Sequence, residues 1–186
     1  TQLSNLKKEF EETTDARAFV ARNNSSIPYF DGYTLKSRMQ MGEKDNIVSL
    51  PVGGVLGPYL DAGNYVLAKK IDVRSVPDSV HVRHILISTN SVDQQTGQAS
   101  VVRDDSSARK TADSVFALLK GGADFKSLAA SISDDPGSKN NGGEYNFSSM
   151  DMGNLAKEFA DFAFYRRKGE REIVKTSFGY HIIEIL

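Results

Sequence analysis

Cysteine is absent from the 186 residues. That removes thiol catalysis, disulfide bracing and zinc–thiolate sites, and it suits a reducing or an oxidising compartment equally. Neither sign of charge dominates: 23 Lys and Arg face 24 Asp and Glu, for a net charge of −1 at pH 7. With no basic block either, nucleic acid and anionic membrane surfaces are not expected partners. No apolar run approaches the roughly 20 residues that cross a bilayer, and no signal-peptide pattern opens the chain. The chain begins at Thr1 and reads as an excised piece of something longer, so any membrane attachment is expected only through parts outside it. No Gly-x-Ser-x-Gly elbow, Walker loop or dinucleotide loop occurs.

What is present is ordinary for a globular protein, 39% hydrophobic and 25% charged residues, enough for one medium domain or two small ones. Leu3, Leu6 and Phe10 recur at helical spacing, and Ala16, Phe19 and Val20 repeat the pattern after Thr14. Tyr33 to Met41 is expected to form one short helix ended near Gly42. The apolar run Ile47-Val48-Ser49-Leu50, a stretch rich in Gly and Pro, and a strand at Tyr65-Val66-Leu67-Ala68 follow. Pro77 forbids a ladder bond and biases Val76 to extended geometry, so the boundary is placed there, giving segments 1–77 and 78–186.

Two strands organise the second segment: Val82-Arg83-His84-Ile85-Leu86-Ile87, and Gly179-Tyr180-His181-Ile182-Ile183-Glu184-Ile185. Alternation puts Val82, His84 and Leu86 on one face, and likewise His181, Ile183 and Ile185. Between them lie a polar excursion from Thr89 to Asp105 and a helix with the stripe Ala108, Ala112, Val115, Phe116 and Leu119. Ser106 or Ser107 is its expected cap and Gly121-Gly122 its stop. A second helix carries Phe125, Leu128, Ala129 and Ile132. The turn Asp134-Asp135-Pro136-Gly137 and the loop Asn140-Asn141-Gly142-Gly143 come next. Asn154 is the expected cap of a helix bearing Leu155, Phe159 and Phe162, ended by Gly169. Gly53 and Gly63 ahead of Tyr65-Val66-Leu67 echo Gly169 and Gly179 ahead of His181-Ile182-Ile183, which makes a degenerate internal repeat one reading of 1–77.

Residues 80–186 resemble the parvulin-type peptidyl-prolyl cis–trans isomerases, in particular those of exported bacterial foldases. The stretches that carry the likeness are His81–Ser88, Ala123–Asp135, Gly142–Gly143, Leu155–Phe164 and Thr176–Ile185. The resemblance implies an α+β fold, a four-stranded antiparallel sheet wrapped by helices, preceded by a shorter α/β segment. It implies catalytic roles for His84, Asp135 and His181, and substrate-binding roles for Leu155, Phe159, Met152, Phe147 and Phe178. Met150 and Met152 compete with Leu155 for one pocket position. The excursion 89–105 has Arg103 as its one basic residue, so no preference for phosphorylated substrates is expected. No cofactor is implied. The implied partners are proline-containing unfolded polypeptides, and the implied location is periplasmic or cell envelope.

On the residues alone, a histidine on an apolar strand face is more often a satisfied core residue than a catalyst. Carboxylates favour turns through local hydrogen bonds, whatever else they do. Phe159 with Phe162 is equally a core stripe. Two histidines and a carboxylate could form a metal triad, but metal binding is the lesser reading. Two functions stay open: isomerisation of X–Pro bonds in exported proteins, or a catalytically silent chaperone module that grips extended segments.

Overall fold

The structure, a computed structural model, describes residues 2–40, 42–92 and 99–186. The chain divides into two compact units, Thr1–Ser75 and Val76–Leu186. Val76 packs with an apolar cluster of the second unit, which explains why the division falls ahead of Pro77.

In the first unit, α1 (Gln2–Glu12) and α2 (Ala16–Arg22) stack Phe10 on Phe19 at 4.6 Å and bury both with Ala16 and Val55. Asp15, not Thr14, caps α2, accepting from Ala18 N at 2.9 Å. The helix expected over Tyr33–Met41 is a single 3-10 turn, Lys36–Arg38, with no side-chain cap and no buried residue to hold it; Met41 lies outside the described residues. Ile47–Ser49 ends a short helix, α3 (Lys44–Ser49). An antiparallel ribbon follows, β1 (Val55–Asp61) and β2 (Asn64–Lys69). Lys69 Nζ donates to the carbonyls of Phe10, Glu11 and Thr13, satisfying groups that the end of α1 leaves unpaired.

The second unit is built on β3 (Ser79–Ser88). A small hairpin of β4 (Asn90–Val92) and β5 (Ala99–Val101), α4 (Asp105–Lys120), α5 (Phe125–Ile132), β6 (Glu144–Ser148), α6 (Lys157–Tyr165), β7 (Arg171–Thr176) and β8 (Gly179–Ile185) follow. The four long strands form one antiparallel sheet in the order β6-β3-β8-β7. The fold is α+β, as expected.

Both faces of the sheet are covered. Ile85 and Ile87 of β3 and Tyr180 and Ile182 of β8 pack on Ala108, Ala112, Val115, Leu119, Phe125 and Ala129 of α4 and α5. The opposite face sends Val80, Val82, Ile183 and Ile185 against Phe159, Phe162 and Ala163 of α6. This is period-two alternation used twice, once for each core.

Several caps differ from expectation. Asp104, ahead of both serines, caps α4 by accepting from Ser107 N at 2.9 Å. Asn154 caps nothing: it ends a 3-10 turn, Ser149–Asn154, opened by a Ser148/Asp151 capping box. Leu155 and Ala156 are extended, so α6 starts at Lys157. It ends at Tyr165, and Gly169 instead opens β7, its N–H bonding Ile185 O at 2.8 Å. The β1–β2 ribbon opens in the same way, Gly53 N donating to Lys70 O at 2.7 Å.

Candidate active site

His84 stands opposite Ile183 and His181 opposite Leu86, so the two imidazoles are diagonal neighbours on the α6 face. Their rings are nearly parallel, with centroids 5.4 Å apart, and Nδ1 of one lies 3.1 Å from Nδ1 of the other. Phe159 sets its edge against both, at 5.4 Å from each. The histidines are 5% and 6% exposed, so they lie behind this wall rather than at the surface.

Two glycines allow the strands to close here. Gly143 has φ +79°, and a Cβ there would strike the His84 backbone; its absence lets His84 N reach Gly143 O at 2.8 Å. Gly179 has φ +138° and approaches Ile87 O and Thr89 N too closely for any side chain, which seats the β7–β8 turn beside the end of β3.

Beyond Gly143 the same edge of β3 is taken over by the segment after α5. Leu86 N donates to the buried Ser133 Oγ at 3.1 Å, Asp134 N to Leu86 O at 2.8 Å, and Ser88 N to Asp134 Oδ2 at 2.9 Å. Arg103 Nη1 donates to Asp134 Oδ2 at 2.7 Å and to Ser88 O at 2.9 Å, so the excursion's one cation is spent on this turn. The segment delivers Asp135 to His84, with His84 Nε2 and Asp135 Oδ2 3.0 Å apart. The same oxygen accepts from Ser138 Oγ, and from Tyr145 Oη at 3.1 Å; Oδ1 accepts from Gly137 N at 3.2 Å.

The partners couple the protons of the two rings. Thr176 Oγ1 accepts from Phe178 N at 3.1 Å and lies 2.9 Å from His181 Nε2. If the hydroxyl donates to Nε2, His181 carries its proton on Nδ1 and donates to His84 Nδ1. His84 is then protonated on Nε2 and donates to Asp135. In that arrangement every donor in the row points toward the carboxylate. Burial, together with the neighbouring His84, pushes His181 down to about 3, so it stays neutral. The hydrogen bond from His84, helped by Ser138, holds Asp135 well below the usual carboxylate range against the opposing pull of burial. The result is a fixed negative charge beside apolar surface.

That surface is partly exposed. Tyr145, Phe147, Met152 and Leu155 are half-buried around Phe159 and belong to its cluster. Tyr145 stacks on Phe147 at 5.2 Å, and Phe147 meets Phe159 edge-on at 6.0 Å. Met150 is more exposed than Met152 and lies outside the cluster.

Of the residues singled out from sequence, His84, His181 and Asp135 form one hydrogen-bonded row, and Leu155, Phe159, Met152 and Phe147 share one apolar cluster. Phe178 stands apart, 49% exposed on the β7–β8 turn. Ser138, Thr176 and Tyr145 escaped the sequence reading as site members. Only the Ser three residues after Asp135 and the Thr at the far side of the Phe-Gly turn hinted at them. Among the described residues no group of three or more His, Cys, Asp or Glu converges as a metal site.

The family model described as the PPIC-type PPIASE domain matches residues 65–186, the whole second unit and part of β2. The chain belongs to the PPIC-type, or parvulin, peptidyl-prolyl isomerase family. Among its relatives, the parvulin chain is 33% identical over 149 residues to the chaperone SurA of Pseudomonas syringae pv. tomato, covering 76% of this chain and 32% of that protein. It is 34% identical over 145 residues to the chaperone SurA of Pseudomonas aeruginosa, covering 75% and 32%. The chain therefore spans about a third of the length of these relatives. Among solved structures, the peptidylprolyl isomerase PrsA of Bacillus cereus is 38% identical, covering 58% of this chain and 34% of that one, with a TM-score of 0.43.

Proposed function

We propose that the parvulin unit isomerises X–Pro bonds in unfolded polypeptides, with the half-buried Phe147, Met152 and Leu155 and the wall of Phe159 holding the proline ring. The observation that carries this reading is the Asp135 carboxylate, kept charged by His84, Ser138 and Tyr145 at the border of that apolar surface.

The reaction makes and breaks no bond. Its barrier of roughly 20 kcal/mol is lost amide resonance, and the uncatalysed step takes tens of seconds or more. The planar amide carries charge separation that puts negative charge on the carbonyl oxygen. A fixed carboxylate near that oxygen disfavours the planar form more than the twisted one, which is differential stabilisation of the transition state. His84 and His181 act through Asp135 as positioning residues, since Phe159 covers them. Phe178, exposed on its turn, would border the substrate from the β8 side. The clients are proline-bearing segments of exported proteins, and the protein works in the cell envelope.

A silent peptide-gripping module is the second reading, favoured by the chaperone naming of the SurA relatives. A protease-coupled isomerisation assay on X–Pro tetrapeptides separates the two. We expect acceleration by the full chain, with kcat/KM falling about 10-fold to 100-fold in Asp135→Ala while circular dichroism keeps its native form. A folded protein that accelerates no peptide sinks the enzyme reading.

A further inference from the structure

We propose that the outer edge of β6 is a docking rail on which the extended stretch around the target proline adds to the sheet as a fifth strand. This rests on the isomerase reading above. β6 ends the sheet, and among the described residues no strand other than β3 pairs with it.

The phase of its hydrogen bonds follows from its two ends. His84 N donates to Gly143 O, and Ser149 N donates to Asp78 O. Bonding residues alternate along an antiparallel ladder. With Val82 opposite Tyr145 and Val80 opposite Phe147, the backbone groups of Tyr145 and Phe147 face β3. Those of Glu144 and Asn146 face outward, while Ser148 N is already taken by Asp151 at 2.9 Å. Side chains have the opposite phase. Tyr145 and Phe147 share the face of His84 and Phe159. Glu144 points to the other face, 3.0 Å from His81, and Asn146 is exposed.

An added strand would exchange backbone hydrogen bonds with Glu144 and Asn146. Its residues opposite Tyr145 and Phe147 would turn their side chains to the apolar surface and their N–H groups away from β6. A strand accepts proline at such positions, because no ladder bond is lost. The residue before a proline is itself biased to extended geometry, and it falls opposite Glu144 or Asn146, where its N–H meets the edge; its carbonyl, part of the bond that turns, is left to Asp135. A slip of one residue would set proline's missing N–H against the edge and its ring on the wrong face. One register therefore satisfies both backbone and ring. The occupant is an extended, proline-bearing polypeptide, selected by the place of its proline more than by the side chains flanking it.

The test uses the full chain and ten-residue peptides with one proline, in which single amides are replaced by esters. We expect KM to rise about tenfold when the N–H is removed from the residue just before or just after proline, and little when it is removed one residue further out. Amide exchange at Glu144 and Asn146 should slow on adding the parent peptide. Asn146→Pro, which removes an outward N–H and no bond to β3, should raise KM with a smaller effect on kcat; the ester series stands even if this variant fails to fold. Isomerisation with no alternation among the esters and no slowing at Glu144 and Asn146 overturns the docking rail and leaves the isomerase intact. Isomerisation of no peptide overturns the isomerase reading, and this inference with it.

Discussion

His181 carries the clearest consequence of burial at a single residue. Its pKa, lowered to about 3, means the unfolded chain binds a proton near pH 6.5 that the folded chain refuses. Folding stability from this residue is complete above 6.5 and is lost as pH falls toward 3, by up to about 5 kcal/mol. The depressed Asp135 adds a loss of the same sign, but only once pH drops below the ordinary carboxylate range. Urea titrations between pH 6 and 4 should show stability falling in the wild type and a flatter profile in His181→Asn. At Thr176, removal of the hydroxyl leaves a buried ring nitrogen without a partner. Thr176→Val should therefore lower stability by about 1–3 kcal/mol in a urea titration at pH 7. The facing of His84 and His181 is legible in sequence because alternation fixes which way each points. Thr176 and Ser138 are not, since a lone hydroxyl near a turn reads the same whether solvated or bonded to a buried ring.

Elements with a regular apolar period were the readable ones: β3, β8, and α4 with its stripe of Ala108, Ala112, Val115 and Leu119. Boundaries were not, because several near-equivalent caps compete. Asp104, Ser106 and Ser107 are all good N-caps, and only the bond to Ser107 N singles out Asp104. The short helix expected over Tyr33–Met41 is reduced, among the described residues, to the turn Lys36–Arg38, which buries no side chain that would favour extending it. The β3–β6 junction gives an element-scale prediction. Gly143→Ala forces a side chain to φ +79° and against the His84 backbone. It should destabilise the unit by about 2–4 kcal/mol in denaturant melts. On the proposed isomerase reading it should also lower turnover further than unfolding explains, since it pries β6 from the strand that holds His84.

At the scale of the molecule, residues Val76–Leu186 have their own sheet and their own two cores, and should fold when expressed without residues 1–75. The cores are not independent. β3 and β8 contribute alternate side chains to each, so neither can loosen while the other keeps its strands. Phe162→Ala, in the α6 core, should cost about 3–5 kcal/mol. Fluorescent probes on α4 and on α6 should nonetheless report one shared transition midpoint in that variant. The whole-unit layout was legible because strand and helix signals follow one another in parvulin order. What residue alternation alone does not convey is that each sheet face carries an apolar core, since residues 82–88 look amphipathic only if one face is assumed wet.

The double-sided sheet also bears on motion. Amides at the centre of β3 and β8 should be the last in the unit to exchange with solvent, opening only with global unfolding. His84 and His181 are carried on those strands, so the imidazole row is mounted on the most static part of the machine. On the proposed isomerase reading, adaptation to different clients falls to the periphery, to β6 and the segment from Ser149 to Ala156, while the electrostatic centre keeps its geometry from one turnover to the next.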